Sequence, residues 1–348
     1  MNVAVIGVGR WGINHVRALM TLKKERISSV SLEDIIAVDI NPENLYRAKS
    51  LGVEKAYTSL DSFVSWEKVD AAIIAVPTKY HHEVAKKIIP LTSVLIEKPL
   101  ASNIKEAKDI VRLAKKYDRV VAVGHIERYN PVIMAVKDRL KELGEDIIYI
   151  SGFRVGPGPV ASRSNNLGVA HDLLVHDIDT ANMLVGSLPT WVIASKNHLK
   201  EFPYEVEINA VYGYENKVVA SLRASWRTGP KLKKRIMLIQ TESHIITFDY
   251  ISQYFTVESG LKEHRSSPEY VDLISSYESR SVENISLFSG KREPLILELI
   301  DFLESVEKGR EPIANLKNGY LALKCVLASL EAADKGIRVK ISWDDDPI

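Results

Sequence analysis

A chain of 348 residues is long for one core and fits two compact domains. Its 46% hydrophobic and 26% charged residues belong to a folded globular protein and exclude a disordered or fibrous one. With 46 Lys and Arg against 45 Asp and Glu there is no net field to draw in nucleic acid or an anionic membrane, so small molecules and copies of the chain are the expected partners.

Met1 is followed almost at once by an apolar strand pattern, which leaves no room for a leader, and no apolar run approaches a membrane span; a cytoplasmic protein is expected. The first 124 residues alternate apolar runs over 3–7, 35–39, 71–76, 93–97 and 120–124 with amphipathic helical patterns near 12–24, 43–51, 79–89 and 103–117. Strands apolar on both faces and separated by helices require a parallel sheet covered on each side, so residues 1–124 are expected to form a doubly wound α/β domain.

After Gly124 the pattern changes, and residues 125–348 are assigned to a second, α+β domain. A helix over 131–143, a strand over 147–155, a Gly, Pro and Ser loop over 156–168 and a helix over 169–185 precede strand patterns from 190 to 256 joined by short polar turns. These predict a mainly antiparallel sheet with an open apolar face, and hence a homodimer or homotetramer. Two further helices end at Gly309 and Gly336; the last, over 317–335, is expected to pack back on the first domain. The single cysteine, Cys325, lies in an apolar helical pattern and reads as a buried thiol in a reducing compartment.

Gly7, Gly9 and Gly12 form GVGRWG directly after the first strand and at the start of a helix. That spacing allows a tight turn, close approach of backbone N–H groups to a pyrophosphate, and placement of the anion at the positive helix end, with Arg10 and Trp11 in the same loop. The second strand ends in Asp39, whose carboxylate can accept from the ribose hydroxyls and repel a 2′-phosphate. Ile40, Asn41 and Pro42 supply no cation, so the expected cofactor is NAD and the domain is of the Rossmann type.

Three more motifs lie in order: AVPTKYHHEVA (75–85), EKPLA (97–101) and HDLLVHDID (171–179). Together with GVGRWG these resemble the glucose-fructose oxidoreductase, inositol dehydrogenase and MocA (Gfo/Idh/MocA) family, and the resemblance continues through the last helix and strand. It implies that Pro77, Thr78, His81 and Glu97 contact the cofactor, and that Lys98-Pro99 forms a tight turn aiming the lysine at it. Val76 departs from the threonine usual in the family. GHIERYNP (124–131) and DLLVHDID most resemble members that oxidise the 3-hydroxyl of UDP-N-acetylglucosamine or its uronate. An inositol or free-polyol dehydrogenase shares all the chemistry, and a non-catalytic NAD-binding sensor is the alternative of a different class.

Oxidising an alcohol requires hydride to leave carbon while a base takes the hydroxyl proton. Asp172 and His176 are four apart on a helix and share a face, and a histidine pKa near neutrality suits the base. Lys98, at the carboxyl end of a parallel strand where open α/β sheets bind ligands, can hydrogen-bond the same oxygen and stabilise an alkoxide. Asp172 is expected to orient the sugar or hold an adjacent hydroxyl. Arg128, Tyr129, Arg154 and Arg163 are candidates to clamp a diphosphate or carboxylate, with the 156–168 loop closing over it. The KLKKR run (231–235) reads mostly as a solvated face. No metal is expected, because His171 and His176, five apart, do not share a helix face.

Overall fold

The computed structural model describes residues 1–26, 29–158, 167–200, 202–259, 281–287, 292–344 and 346–348. Six strands, β1 (Val3–Ile6), β2 (Ile35–Val38), β3 (Lys55–Tyr57), β4 (Ala71–Ile74), β5 (Ser93–Ile96) and β6 (Val121–Val123), form an all-parallel sheet in the order β3-β2-β1-β4-β5-β6. Every residue of β1, β2, β4 and β5 is buried, as strands covered on both faces must be.

Alternation divides these side chains between two cores. Val3, Val5, Ile35, Ala37, Ala71, Ile73 and Leu95 enter one layer; Ala4, Ile6, Ile36, Val38, Ala72, Ile74, Val94 and Ile96 enter the other. Helices α1 (Gly12–Glu25), α2 (Pro42–Ser50), α3 (Leu60–Trp66), α4 (His81–Ile88) and α5 (Ile104–Tyr117) supply the crossovers. Asn41 and Asn103 cap α2 and α5 by accepting from the backbone N–H groups of Glu43 and Glu106. Strand β3 and helix α3 were not anticipated from the sequence: the strand is three residues at a sheet edge with no fully buried side chain, and the helix is only seven long.

In the second half, α6 (Pro131–Leu143) leads to β7 (Ile147–Val155). A π-helical turn at Ala170–Leu174 runs directly into α7 (Val175–Val185). Then follow β8 (Pro189–His198), β9 (Glu205–Tyr214), β10 (Val219–Ser225), β11 (Lys234–Thr241), β12 (His244–Asp249), β13 (Tyr254–Ser259) and β14 (Ser281–Ser286). The chain ends with α8 (Pro294–Lys308), α9 (Leu316–Lys335) and β15 (Val339–Lys340). The sheet order is β14-β13-β12-β11-β7-β10-β9-β8-β15; its described pairings are antiparallel except β7 with β10.

Its inner face, with Ile150, Ile208, Ala210, Leu222, Met237 and Ile239, packs in one core with Leu174, Val175 and Ile178 of the catalytic-helix candidate. The last helix bridges the halves: Tyr320 and Leu323 enter the parallel-sheet core, while Ala322, Cys325 and Val326 enter the other. Cys325 is fully buried, and burial pushes its thiol up to about 12. Helix α8, placed with the second domain on sequence order, buries Leu295, Leu299, Phe302 and Leu303 in the parallel-sheet core. No helix among the described residues is long and apolar enough to cross a membrane.

Candidate active site

Chain order reverses between β1 and β4, opening a crevice at their carboxyl ends. The glycine loop fills one side of it, and three glycines answer to three different constraints. Gly7 has φ +86, and a Cβ there would stand 2.7 Å from the Val76 backbone nitrogen. At Gly12 a Cβ would stand 1.8 Å from the Gly7 carbonyl oxygen. Gly9 meets no such obstacle: the nearest atom to its Cβ position is Asn44 Nδ2 at 3.9 Å. The fold itself therefore demands glycine at 7 and 12 but not at 9, where the bare backbone suits a ligand that must come close. The half-buried Asp39 carboxylate is held by the Asn41 backbone N–H (2.8 Å) and Asn44 Nδ2 (3.1 Å). Arg10 is exposed, and Pro77 and Thr78 begin the loop leading into α4. This set fits a dinucleotide: a glycine cradle at a helix start, with a carboxylate at the second strand tip.

Glu97 ends the next strand and is 8% exposed. It accepts from Trp11 Nε1 at 2.5 Å, lies 2.7 Å from His15 Nε2, and accepts from the Lys98 backbone N–H at 3.1 Å. Burial opposes ionisation of this carboxyl, but the His15 and Trp11 contacts hold its pKa below the usual range. Glu97 and Trp11 thus pin the glycine loop to the strand end that carries Lys98. The Lys98–Pro99 peptide is cis. His81, implied by resemblance to face the cofactor, is buried with its ring nitrogens 3.0 Å from the carbonyl oxygens of Pro99 and Val76. Its place is between the two loops, as a brace for the Lys98 turn.

Lys98 Nζ donates to the Asp172 backbone carbonyl (2.7 Å) and to Asp172 Oδ1 (3.0 Å), while Trp226 Nε1 donates to Asp172 Oδ2 (3.2 Å). Partial burial resists ionisation of Asp172, but the Lys98 ammonium more than offsets it and the pKa is lowered. Asp172 lies in the π-helical turn and His176 in the first turn of α7; such turns recur at functional sites. His176 is 7% exposed, its Nδ1 is buried without a hydrogen-bond partner, and no hydrogen bond engages its Nε2 among the described residues. Burial first, then the charges of Lys98, Arg154 and Arg235, push its pKa well below 6.5. The near-neutral value expected from the sequence is corrected accordingly: His176 rests as a neutral acceptor. Burial pushes His171 to about 4, with Lys98 adding to the effect, and burial also depresses His125. The Lys98 charge thus acts on three imidazoles, and each has a lowered pKa.

Three residues expected to grip substrate spend their donors inside the protein. Arg128 forks onto Asp179 (2.8 and 2.7 Å), Tyr129 Oη donates to Asp301 (2.8 Å), and Arg154 is fully buried on Asp177 and Glu127 (2.8 and 2.9 Å). Substrate-gripping is corrected for these three to bracing of α7 and the 126–130 turn, because both guanidinium forks and the tyrosine hydroxyl are already committed to carboxylates inside the protein. Arg163 and residues 159–166 of the loop lie outside the described residues. The sequence reading missed Trp226, Glu127 and Arg235. Arg235 Nη1 donates to Glu127 at 3.2 Å, and its charge acts on both Asp172 and His176. Strand parity was the available signal: Arg235 shares a face with buried Met237 and Ile239.

Residues 1–125 match the family model "Oxidoreductase family, NAD-binding Rossmann fold" of GFO/IDH/MocA, and residues 147–246 match the GFO/IDH/MocA C-terminal domain. Scyllo-inositol 2-dehydrogenase (NAD(+)) of Bacillus subtilis is 25% identical over 97% of this chain and 95% of its own. UDP-N-acetylglucosamine 3-dehydrogenase of Acidithiobacillus ferrooxidans is 31% identical over 56% of this chain and 57% of its own. A solved structure of the latter superposes with TM-score 0.79 at 25% identity, covering 96% and 98% of the two chains. Levoglucosan dehydrogenase in complex with NADH gives TM-score 0.86 at 20% identity, covering 98% and 99%.

Proposed function

Because this chain belongs to the Gfo/Idh/MocA family of NAD-dependent oxidoreductases, we propose that it oxidises the 3-hydroxyl of a UDP-N-acetylhexosamine or its uronate. The observation that carries this reading is the Lys98–Asp172 pair beside His176, on a fold matched over nearly its whole length by a UDP-N-acetylglucosamine 3-dehydrogenase. NAD, which the glycine cradle and Asp39 would hold, supplies the hydride acceptor when bound. The chain's own residues handle the proton. Lys98 donates to the reacting oxygen and stabilises negative charge as it develops there. His176, neutral at rest, takes the hydroxyl proton. Asp172, fixed by Trp226, keeps the ammonium aimed while the sugar enters.

Lys98 and His176 together weigh against a sensor without turnover. Oxidation of a free polyol remains the second reading, favoured by the full-length similarity to scyllo-inositol 2-dehydrogenase. Incubating the protein with NAD and, separately, UDP-N-acetylglucosamine, its uronate and myo-inositol, and following reduced-nicotinamide absorbance, tests the choice. Turnover of the nucleotide sugars is expected; turnover of inositol alone would replace the first reading with the second. The outer sheet face, carrying Ile193, Leu238 and Ile245, is our candidate for self-association. We place the reaction in the cytoplasm, where NAD is available and the free Cys325 stays reduced.

A further inference from the structure

The inner stripe of β7 and β11 continues past its apolar residues into charge. Arg235 pairs directly with Arg154 across the two antiparallel strands, an arrangement of like charges that needs compensation. Glu127 provides part of it, since its Oε1 accepts from both guanidinium groups at 2.9 and 3.2 Å, and Asp177 takes the rest of Arg154. Two residues before Arg235, between the short turn Pro230–Leu232 and the start of β11, comes Lys233, exposed and with no hydrogen bond or ion pair to any described residue. Its Cγ lies 3.6 Å from the Cβ position of Gly156, at the start of the 156–168 loop. Three cations on this stripe face two carboxylates.

The excess charge borders the reacting groups. Gly158 lies against Trp226, where a Cβ would stand 2.9 Å from the Trp226 Cβ, and Trp226 donates to Asp172. Arg235 acts electrostatically on Asp172 and His176, and it is the largest influence lowering the Lys233 pKa. Two cations held this close gain from an anion placed between them, and the acids nearby are already engaged by Arg154 and Lys98.

We propose that Lys233 and Arg235 form an anion subsite beside the catalytic centre, which selects substrates carrying a phosphoryl or carboxylate group on the sugar. This rests on the reading of the site as a sugar dehydrogenase and narrows it to charged sugars. Both sources present anionic oxygens to an ammonium and a guanidinium, and ligands sharing one ring tell them apart.

The test is equilibrium binding, by titration calorimetry on the full chain with NADH, of neutral N-acetylglucosamine, UDP-N-acetylglucosamine and N-acetylglucosaminuronate. In the unaltered protein at least one anionic sugar binds more tightly than the neutral one, and added salt erodes the advantage. In Lys233→Met that advantage falls about tenfold, the scale of one lost charge-assisted hydrogen bond. The sugar that loses it identifies the source, phosphoryl or carboxylate. An advantage unchanged in Lys233→Met, or absent from the unaltered protein, overturns the proposal. Reduction of NAD by a neutral sugar alongside such a result would leave the dehydrogenase reading standing and remove only the subsite.

Discussion

Replacing Gly9 by alanine separates a ligand's demand for glycine from the fold's demand for it. The new Cβ would have no protein atom nearer than 3.9 Å, and Gly9 is not among the glycines with positive φ. The folded chain accommodates it, and the restricted unfolded chain adds about 0.4–1 kcal/mol of stability. The methyl group would project into the cradle where backbone N–H groups meet phosphate oxygens. Losing one such charged hydrogen bond costs roughly 1.5–3 kcal/mol, or about 10- to 100-fold in NAD affinity. Gly12→Ala is the contrast: a Cβ 1.8 Å from the Gly7 carbonyl forces helix and strand apart, and overpacking of this kind costs about 1–3 kcal/mol or more. Thermal unfolding without cofactor and calorimetric titration with NAD read the two quantities independently. Gly9→Ala should keep or slightly raise its Tm and lose affinity, whereas Gly12→Ala should lose Tm. NAD binding unchanged in Gly9→Ala would refute the cradle.

Two further outcomes concern buried titratable groups. Because burial and three neighbouring cations lower the His176 pKa, it remains an unprotonated base as pH falls through 6.5, so the acid limb of kcat/KM is expected well below that value; a limb at 6.5 or above contradicts the assignment. Glu298, 1% exposed, has no hydrogen-bond partner for either carboxyl oxygen among the described residues, and burial, with the Glu97 and Asp301 charges, pushes its pKa well above 4.5. The folded state keeps the proton while the unfolded state releases it above about 4.5, so stability is lost as pH rises from that value towards the folded pKa. Glu298→Gln removes this penalty and should raise Tm at pH 7 by a few degrees but not at pH 4; equal shifts at both would refute it.

The parallel sheet was legible because strands buried on both faces leave uninterrupted apolar runs, and the glycines and Asp39 could be placed at strand tips from those runs alone. Short elements such as Lys55–Tyr57 lack a period long enough to read. The pairing of Arg128 with Asp179, 51 residues apart, and of Arg154 with Glu127, 27 apart, depends on tertiary approach and left no local trace. For that reason Arg128 and Arg154 read as free donors. The Lys98–Asp172 bond spans 74 residues, yet motif and helix spacing anticipated that both belong to one site. The π-helical turn beneath Asp172 has no sequence period of its own, and the parity of Lys233 and Arg235 with Met237 was present but was outweighed by the density of charge around them.

The most direct measurement compares NAD reduction by UDP-N-acetylglucosamine in the unaltered protein with that in Lys98→Met and His176→Gln, after each variant has been shown to bind NAD. If amine and imidazole meet at one alcohol oxygen, each variant should keep the cofactor and lose roughly 10²- to 10⁴-fold in kcat, with ketone formation falling in step. Turnover undiminished in either would mean that the proton leaves by another route.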